Sequence, residues 1–288
     1  MQFAGYAEGE NNGFSLSSLE VRGDLARKRF RHLEREPNLQ GELNAFLTHT
    51  IRAVVIRNWP SLTFLHVVFQ RLNTGSLKLS AQELRQAVAP GSFTNFADDA
   101  TIQPNALHRL LGRGTPDPRM RDVELLVRHL GFRFRLSEYS GRMKEFLDRV
   151  CVGFNDNWDQ DRGRIENGAV DFLAAIQALE SIFGEAGVAR KRGSRLFNRS
   201  IFDALSYYAV QPEIRDRMLA NGAAVREAYS AVMENEDFLN AIESDTAGIP
   251  HTADRLRIWG QRLSNALGFA IAIPELAENQ NGELRFVA

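Results

Sequence analysis

The sequence predicts a mainly α-helical fold with a small β element near its N-terminus. From position 119 onward, apolar residues recur at i, i+3, i+4 and i+7, which is the spacing of one buried helix face. Residues 51–56 form the clearest β-branched apolar run, which is typical of a strand. Hydrophobic residues make up 44% of the 288 residues and charged residues 25%, so a globular protein of one large or two small domains is expected.

The β element is expected within residues 14–57. A helix predicted over residues 36–50 precedes the strand, and its apolar face consists of Leu39, Leu43, Phe46 and Leu47. The strand itself occupies residues 51–56, and Pro60 follows it closely. Because proline lacks an amide proton, it disfavours continuation of a paired strand.

Residues 69–85 form the stretch around which the chain is organised, Phe-Gln-Arg-Leu-Asn-Thr-Gly-Ser-Leu-Lys-Leu-Ser-Ala-Gln-Glu-Leu-Arg. A helix is predicted to enter it on the apolar face of Leu65, Val68, Phe69 and Leu72. Gly75 ends that helix, because glycine tolerates the left-handed conformation. Ser80 and Glu83 have the spacing of a capping box, which predicts a second helix extending to Ala89.

The remainder of the chain is predicted to be helical after a looser segment. Residues 91–118 contain three prolines and are expected to be looser than the helices that follow. Helices are predicted around the apolar faces 123–130 and 143–150, and near residues 166–184, 194–209, 212–233, 235–243 and 252–268. Residues 284–287 are expected either to pair as a strand or to fray.

Charge and cysteine content limit the functional classes. The formal net charge is −1 and the isoelectric point is near 6.6, so no overall attraction to nucleic acid or anionic membranes is expected. Cys151 is the single cysteine, which excludes an internal disulfide and fits a reducing cytoplasm. No apolar run approaches the roughly 18 residues that a spanning helix needs, and the N-terminus lacks the features of a signal peptide. We therefore expect a cytoplasmic protein with no membrane partner.

Three further patterns in the sequence bear on possible binding sites. A basic cluster could contact nucleic-acid phosphate or form a solvated loop; it comprises Arg190, Lys191, Arg192 and Arg195. Residues 155–161 are rich in Asp and Asn but lack the glycine and glutamate of a calcium loop, so an acidic turn before the helix near residue 166 is expected. The six histidines stand alone, and each is predicted to be exposed or half-buried. No metal ligand and no catalytic residue is predicted.

Residues 69–85 resemble the F-x-R-L-N-T-G…L-x-x-Q-E-L-R signature of the ParB/sulfiredoxin-like N-terminal domain of GmrSD-type, modification-dependent restriction proteins. Residues 121–128 and 139–147 are similar to the R-D-x-E-x-x-x-R and Y-x-G-x-x-x-x-F-L segments of that family. The resemblance covers roughly residues 14–240. It implies a partial family domain over residues 1–90 and a helical domain over residues 91–288.

The family's Asp-Gly-Gln-Gln-Arg turn, which is implicated in nucleotide hydrolysis, does not occur in this sequence. By register, Met1 lies just after the place where that turn would stand. The resemblance therefore implies a truncated or split NTP-dependent DNA restriction protein that binds no cofactor alone, whereas an intact homologue would bind NTP with Mg²⁺. The implied partners are a nuclease subunit or the missing N-terminal segment, and DNA.

Within this chain, the resemblance leaves Arg71, Asn73 and Thr74 as partial nucleotide-binding candidates. Phe69, Gly75, Ser80, Gln82, Glu83 and Arg85 are the motif residues with structural roles. The alternative function is a non-catalytic helical module that binds a protein partner. From pattern alone, residues 69–85 also fit a purely structural helix–turn–helix corner.

Overall fold

The computed structural model describes residues 21–50, 79–184, 187–279 and 282–287, together with positions 15, 16, 19, 55, 57, 64 and 68. The chain divides into two compact units, Met1–Asn58 and Trp59–Ala288. The domain boundary predicted at residue 90 was placed at the end of the sequence motif. The boundary between the two compact units lies earlier, after Asn58. Apart from Val55, the strand predicted at residues 51–56 lies outside the described residues, as do all residues from Phe69 to Gly75.

The first unit contains two short α-helices, α1 (Phe30–Arg35) and α2 (Gln40–Leu47), with 3₁₀ turns at Gly23–Leu25 and Pro37–Leu39. Phe30, Leu33 and Leu39 form its buried cluster. The helix predicted over residues 36–50 is therefore shorter than expected. Leu39 leaves the helical conformation, with φ −107° and ψ 7°, so the α-helix begins at the following residue.

The second unit is built almost entirely from helices. They are α3 (Ala81–Val88), α4 (Ser92–Asp99), α5 (Ala106–Leu110), α6 (Arg121–Arg135), α7 (Met143–Asp156), α8 (Trp158–Phe183), α9 (Arg199–Ala209), α10 (Pro212–Ala220), α11 (Gly222–Val232), α12 (Glu236–Glu243) and α13 (Ile249–Leu267). A 3₁₀ turn, Leu136–Glu138, follows α6. The prediction of a mainly helical fold is confirmed.

Two long helices organise this unit. Helix α8 packs against α5, α6, α9, α10 and α11, and α13 packs against α9, α11 and α12. The side chains of Phe172, Ile176 and Leu179 on α8 are fully buried. Leu256 and Trp259 on α13 are each only 1% exposed. Burial of these faces supplies most of the stability of the helices, since helices in proteins are stabilised chiefly by packing of an apolar face.

The structure also contains a two-stranded antiparallel sheet, β1 (Glu275–Glu278) with β2 (Leu284–Val287). Leu276 pairs with Phe286 across it, and Phe286 is buried. Residues 284–287, which were expected either to pair as a strand or to fray, therefore pair as a strand. The small β element that the structure describes thus lies at the C-terminal end of the chain.

Residues 91–118, expected to be looser than the following helices, contain the two short helices α4 and α5 with loops after each. Pro104, Pro116 and Pro118 all lie outside these two helices, so they separate helices rather than prevent them. The fully buried Phe93 anchors α4 by an edge-to-face contact with Phe154 of α7, with ring centroids 4.9 Å apart. This long-range contact leaves no periodic signature in a short segment.

Two further helix boundaries differ from the prediction. The acidic segment 155–161 is not a turn, because α8 already begins at Trp158. Asp159 and Asp161 lie in its first turn, where negative side chains stabilise the positive end of the helix dipole. The helix predicted over residues 212–233 breaks at Asn221, whose φ of −120° and ψ of 35° separate α10 from α11.

The predicted capping box at the start of α3 is present. The Glu83 amide donates to Ser80 Oγ over 3.0 Å, and the Ser80 amide donates to a Glu83 carboxylate oxygen over 2.5 Å. These two bonds satisfy backbone amides that have no partner within the helix.

Replacing Ser80 with alanine should therefore lower the free energy of unfolding by about 1 kcal/mol. The measurement is the midpoint of urea denaturation for Ser80→Ala. Ser137→Ala, at an exposed position, serves as the control and should leave the midpoint unchanged. Equal midpoints for Ser80→Ala and the wild type would show that the hydroxyl does not cap α3.

Candidate functional site

The described half of the central motif is a buried anchor between α3 and α7. Gln82 is fully buried and Arg85 is 3% exposed. Arg85 Nε donates to Asp148 Oδ1 over 2.8 Å, and Arg85 Nη1 donates to Gln82 Oε1 over 3.1 Å. The motif predicted Gln82 and Arg85 as structural residues, but their partner Asp148 lies on a helix 63 residues away and had no local signal.

The N-terminus of α3 is not suited to binding phosphate. The Glu83 carboxylate lies against it, and the Glu83 amide is occupied by the Ser80 hydroxyl. Glu83 also forms an ion pair with Arg119, at 3.2 Å. An anion site at a helix N-terminus needs backbone amides that are free to donate. Here a phosphate would instead be repelled by the Glu83 carboxylate. The predicted nucleotide-binding candidates Arg71, Asn73 and Thr74 lie outside the described residues.

A second group of charged residues lies in the core. Its Arg128 closes the R-D-x-E-x-x-x-R segment of the sequence, but the sequence did not reveal the residues that Arg128 meets. Arg128 of α6 binds Asp203 of α9 through two hydrogen bonds, Nε to Oδ1 at 2.9 Å and Nη2 to Oδ2 at 2.5 Å. Arg255 of α13 is fully buried, with Nη2 3.8 Å from Asp203 Oδ2. The three side chains link three helices through one carboxylate.

This cluster carries two guanidinium groups against one carboxylate. Burial lowers the pKa of Arg255. Burial also acts on Arg128, but the Asp203 carboxylate outweighs it and the pKa of Arg128 is raised. Arg255 donates to the Thr246 carbonyl over 2.8 Å, and the Tyr139 hydroxyl donates to the Ala247 carbonyl over 2.5 Å. Through these two bonds, Arg255 and Tyr139 hold the loop before α13, while Nε and Nη2 of Arg255 make no hydrogen bond with the described residues.

Two histidines contradict the prediction that each is exposed or half-buried. His108 is 1% exposed, accepts from the Asn105 amide at Nδ1 and therefore donates from Nε2 to Asp122 Oδ2, at 3.0 Å. Both ring nitrogens are occupied, so this His–Asp pair braces α5 and cannot transfer a proton to a substrate. His129 is buried and stacks on Phe172, with ring centroids 4.8 Å apart. Burial, with a smaller effect of Arg133, lowers the pKa of His129 to about 3.

The predicted basic cluster lies on the loop between α8 and α9. Lys191 and Arg192 form ion pairs with Glu243 and Glu234 respectively. Arg190 is bonded to backbone carbonyls, and Arg195 is exposed. The four residues thus lie on one loop. Three of them bind carboxylates or backbone carbonyls, and the side chain of Arg195 is exposed.

An open cleft of about 420 Å³ lies beside the C-terminal sheet. Its lining includes aromatic side chains from α6, α9 and β2, namely Phe132, Phe134, Tyr207 and Phe286. Burial raises the pKa of Tyr207, so this phenol stays protonated near neutral pH. The rest of the lining includes polar side chains, among them Arg133, Ser137 and Glu275, so the cleft is both apolar and polar.

Among the described residues, no group of three or more His, Cys, Asp or Glu side chains could hold a metal ion. Within the same part of the chain, none of the helices combines the length and the apolar character needed to cross a bilayer. No protein-family model, no curated protein and no solved structure matches this chain.

Proposed function

We propose that this chain is a GmrSD-like component of a prokaryotic anti-phage restriction system, whose helices support an NTP site completed by another segment. The observation that carries the proposal is the buried anchor of α3, in which Arg85 donates to Asp148 of α7 and to Gln82. It fixes α3, which begins seven residues after Thr74, the last of the three nucleotide-binding candidates in the sequence.

The geometry limits how far that turn can lie from the anchored helix. Ser80, the cap of α3, follows Gly75 by five residues. A fully extended chain spans at most about 3.6 Å per residue, so Gly75 lies within about 18 Å of Ser80. A fixed helix therefore restricts the positions open to Asn73 and Thr74, and binding groups must be held rigidly to act on a substrate.

The chemistry of the proposed site follows from the side chains at the turn. The Arg71 guanidinium can bind phosphate oxygens through two parallel hydrogen bonds. Asn73 and Thr74 add an amide and a hydroxyl that donate to the same oxygens. A family-type Asp-Gly-Gln-Gln-Arg segment, in cis or on a partner chain, would supply the remaining hydrogen-bond donors. Mg²⁺ would bind together with the nucleotide. DNA cleavage in this proposal belongs to a nuclease subunit.

The test is phosphate release from ATP and GTP. Residues 1–288 alone are expected to release none, because stabilising the charge of phosphoryl transfer needs donors on several sides of the phosphate. Fusion to a family segment that carries the turn should produce activity, and Arg71→Ala should then reduce it. Arg85→Met should also reduce it, since the anchor of α3 is lost.

Arg162→Met is the matched control, because Arg162 is an exposed arginine with an ion pair to Glu166. It should leave phosphate release unchanged. Robust release by residues 1–288 alone would contradict the proposal. So would an active fusion that is indifferent to Arg71→Ala.

The alternative, a non-catalytic helical module that binds a partner protein, is favoured by one observation. The buried charged groups of the described helices all serve packing, as Arg85, His108 and Arg128 show. A fusion that folds but neither binds nor hydrolyses nucleotide would favour this alternative.

A further inference from the structure

The loop between α8 and α9 folds back on itself like a short hairpin. Arg190 and Phe197 form an antiparallel bridge, and the Asn198 amide donates to the Ala189 carbonyl over 2.9 Å. Gly193, at the tip, has a φ of 73°, a conformation that glycine adopts without strain. Residues 191–196 therefore project from a paired base.

The base of this loop is firmly attached to the core. The Arg190 guanidinium donates to the carbonyls of Leu110, Val188 and Arg195 over 2.8–3.1 Å. The Tyr229 hydroxyl donates to the Arg190 carbonyl over 2.8 Å. Arg190 thus positions the loop, and contact with an external partner falls to the residues beyond it.

The tip presents positive charge beside an exposed apolar side chain. Residues 188–198 contain four cations and no carboxylate. The Arg192 side chain is 81% exposed and Leu196 is 80% exposed. The ion pair of Arg192 with Glu234 joins two well-exposed groups, and such pairs contribute little stability. Arg195 forms no ion pair with any residue that the structure describes.

We propose that this tip binds the phosphate backbone of duplex DNA, with Arg192 and Arg195 on phosphates and Leu196 against the groove edge. The choice of DNA rests on the proposed function, and the loop adds a defined contact site to it. Arginine favours phosphate because its planar guanidinium donates two hydrogen bonds at once. A single leucine gives too little apolar burial for stable membrane attachment.

The inference is tested by fluorescence anisotropy of a labelled short duplex with the full chain over a series of salt concentrations. The wild type should bind with an affinity that falls as salt rises. The double variant Arg192→Ala/Arg195→Ala should weaken binding by about 10-fold or more and lower the salt slope by about two. Leu196→Ser should weaken binding while the slope stays the same.

The matched control is Arg142→Ala/Arg162→Ala, which removes two exposed arginines with weak ion pairs elsewhere on the surface. It should bind like the wild type, and circular dichroism should show that both double variants are folded. No binding by the wild type, or equal losses in both double variants, would overturn the inference. Binding to phosphatidylserine vesicles in place of DNA would overturn it as well.

The DNA-binding test of the loop can fail or succeed independently of the phosphate-release test of the proposed nucleotide site. Loop variants of the active fusion should release phosphate from ATP at the wild-type rate without DNA. Loss of DNA binding with intact phosphate release would confirm the loop's role. An inactive fusion whose loop still binds DNA would contradict only the nucleotide proposal.

Discussion

Replacing Asp203 with asparagine is expected to lower the free energy of unfolding by about 3–5 kcal/mol. The substitution removes the carboxylate that both Arg128 and Arg255 share. Among the described residues, neither guanidinium has another carboxylate within 4.0 Å. Two buried positive charges would then lack compensation, and a buried charge without a partner costs several kcal/mol.

The measurement is urea denaturation of Asp203→Asn beside Asp171→Asn. Asp171 also pairs with two arginines, but its side chain is 23% exposed, so water can replace the lost contact. Adding Arg255→Met to Asp203→Asn should recover part of the stability, because one uncompensated charge is removed. Equal effects of the two aspartate variants would contradict the role assigned to the buried cluster.

Stability is expected to fall steeply in acid because of His129. Its pKa is about 3 in the folded protein, below the usual value near 6.5 that applies to the unfolded chain. Between these two values, the unfolded chain binds the proton and the folded protein does not. The free energy of unfolding should therefore fall by about 1.4 kcal/mol for each pH unit below about 6 from this residue alone.

The comparison is the pH dependence of stability for wild type and His129→Phe. Phenylalanine retains a ring to stack on Phe172 but cannot bind a proton. His129→Leu provides a second variant if the larger ring strains the core. Both should show a shallower acid slope than wild type, whereas His49→Phe, at an exposed position, should not. Identical slopes would show that His129 is protonated as readily in the folded state as in the unfolded chain.

Much of the candidate anchor was present in the sequence. The Ser80/Glu83 box depends on residues three positions apart, so its geometry follows from local spacing. The pattern also placed Gln82 and Arg85 at the start of that helix. Asp148, which accepts from Arg85, could not be predicted, because nothing in the sequence states which faces of α3 and α7 meet.

The sequence by itself determined the fold class and the approximate positions of several long helices. Helices α6, α7 and α13 were predicted from apolar residues three and four positions apart, since that spacing reflects the helical repeat. The approximate end of α3 followed from Pro90–Gly91, which act on the backbone within a few residues.

Only the tertiary structure decided which charged groups are buried and which short segments are ordered. Asp203 lies 75 residues from Arg128 along the chain, and the pairing exists because α6 packs on α9. Helix α4 forms where Phe93 meets Phe154, and β2 forms where Leu284–Val287 finds a partner strand. These features depend on contacts between distant segments, whose energy is gained only when the whole core assembles, so no local pattern encodes them.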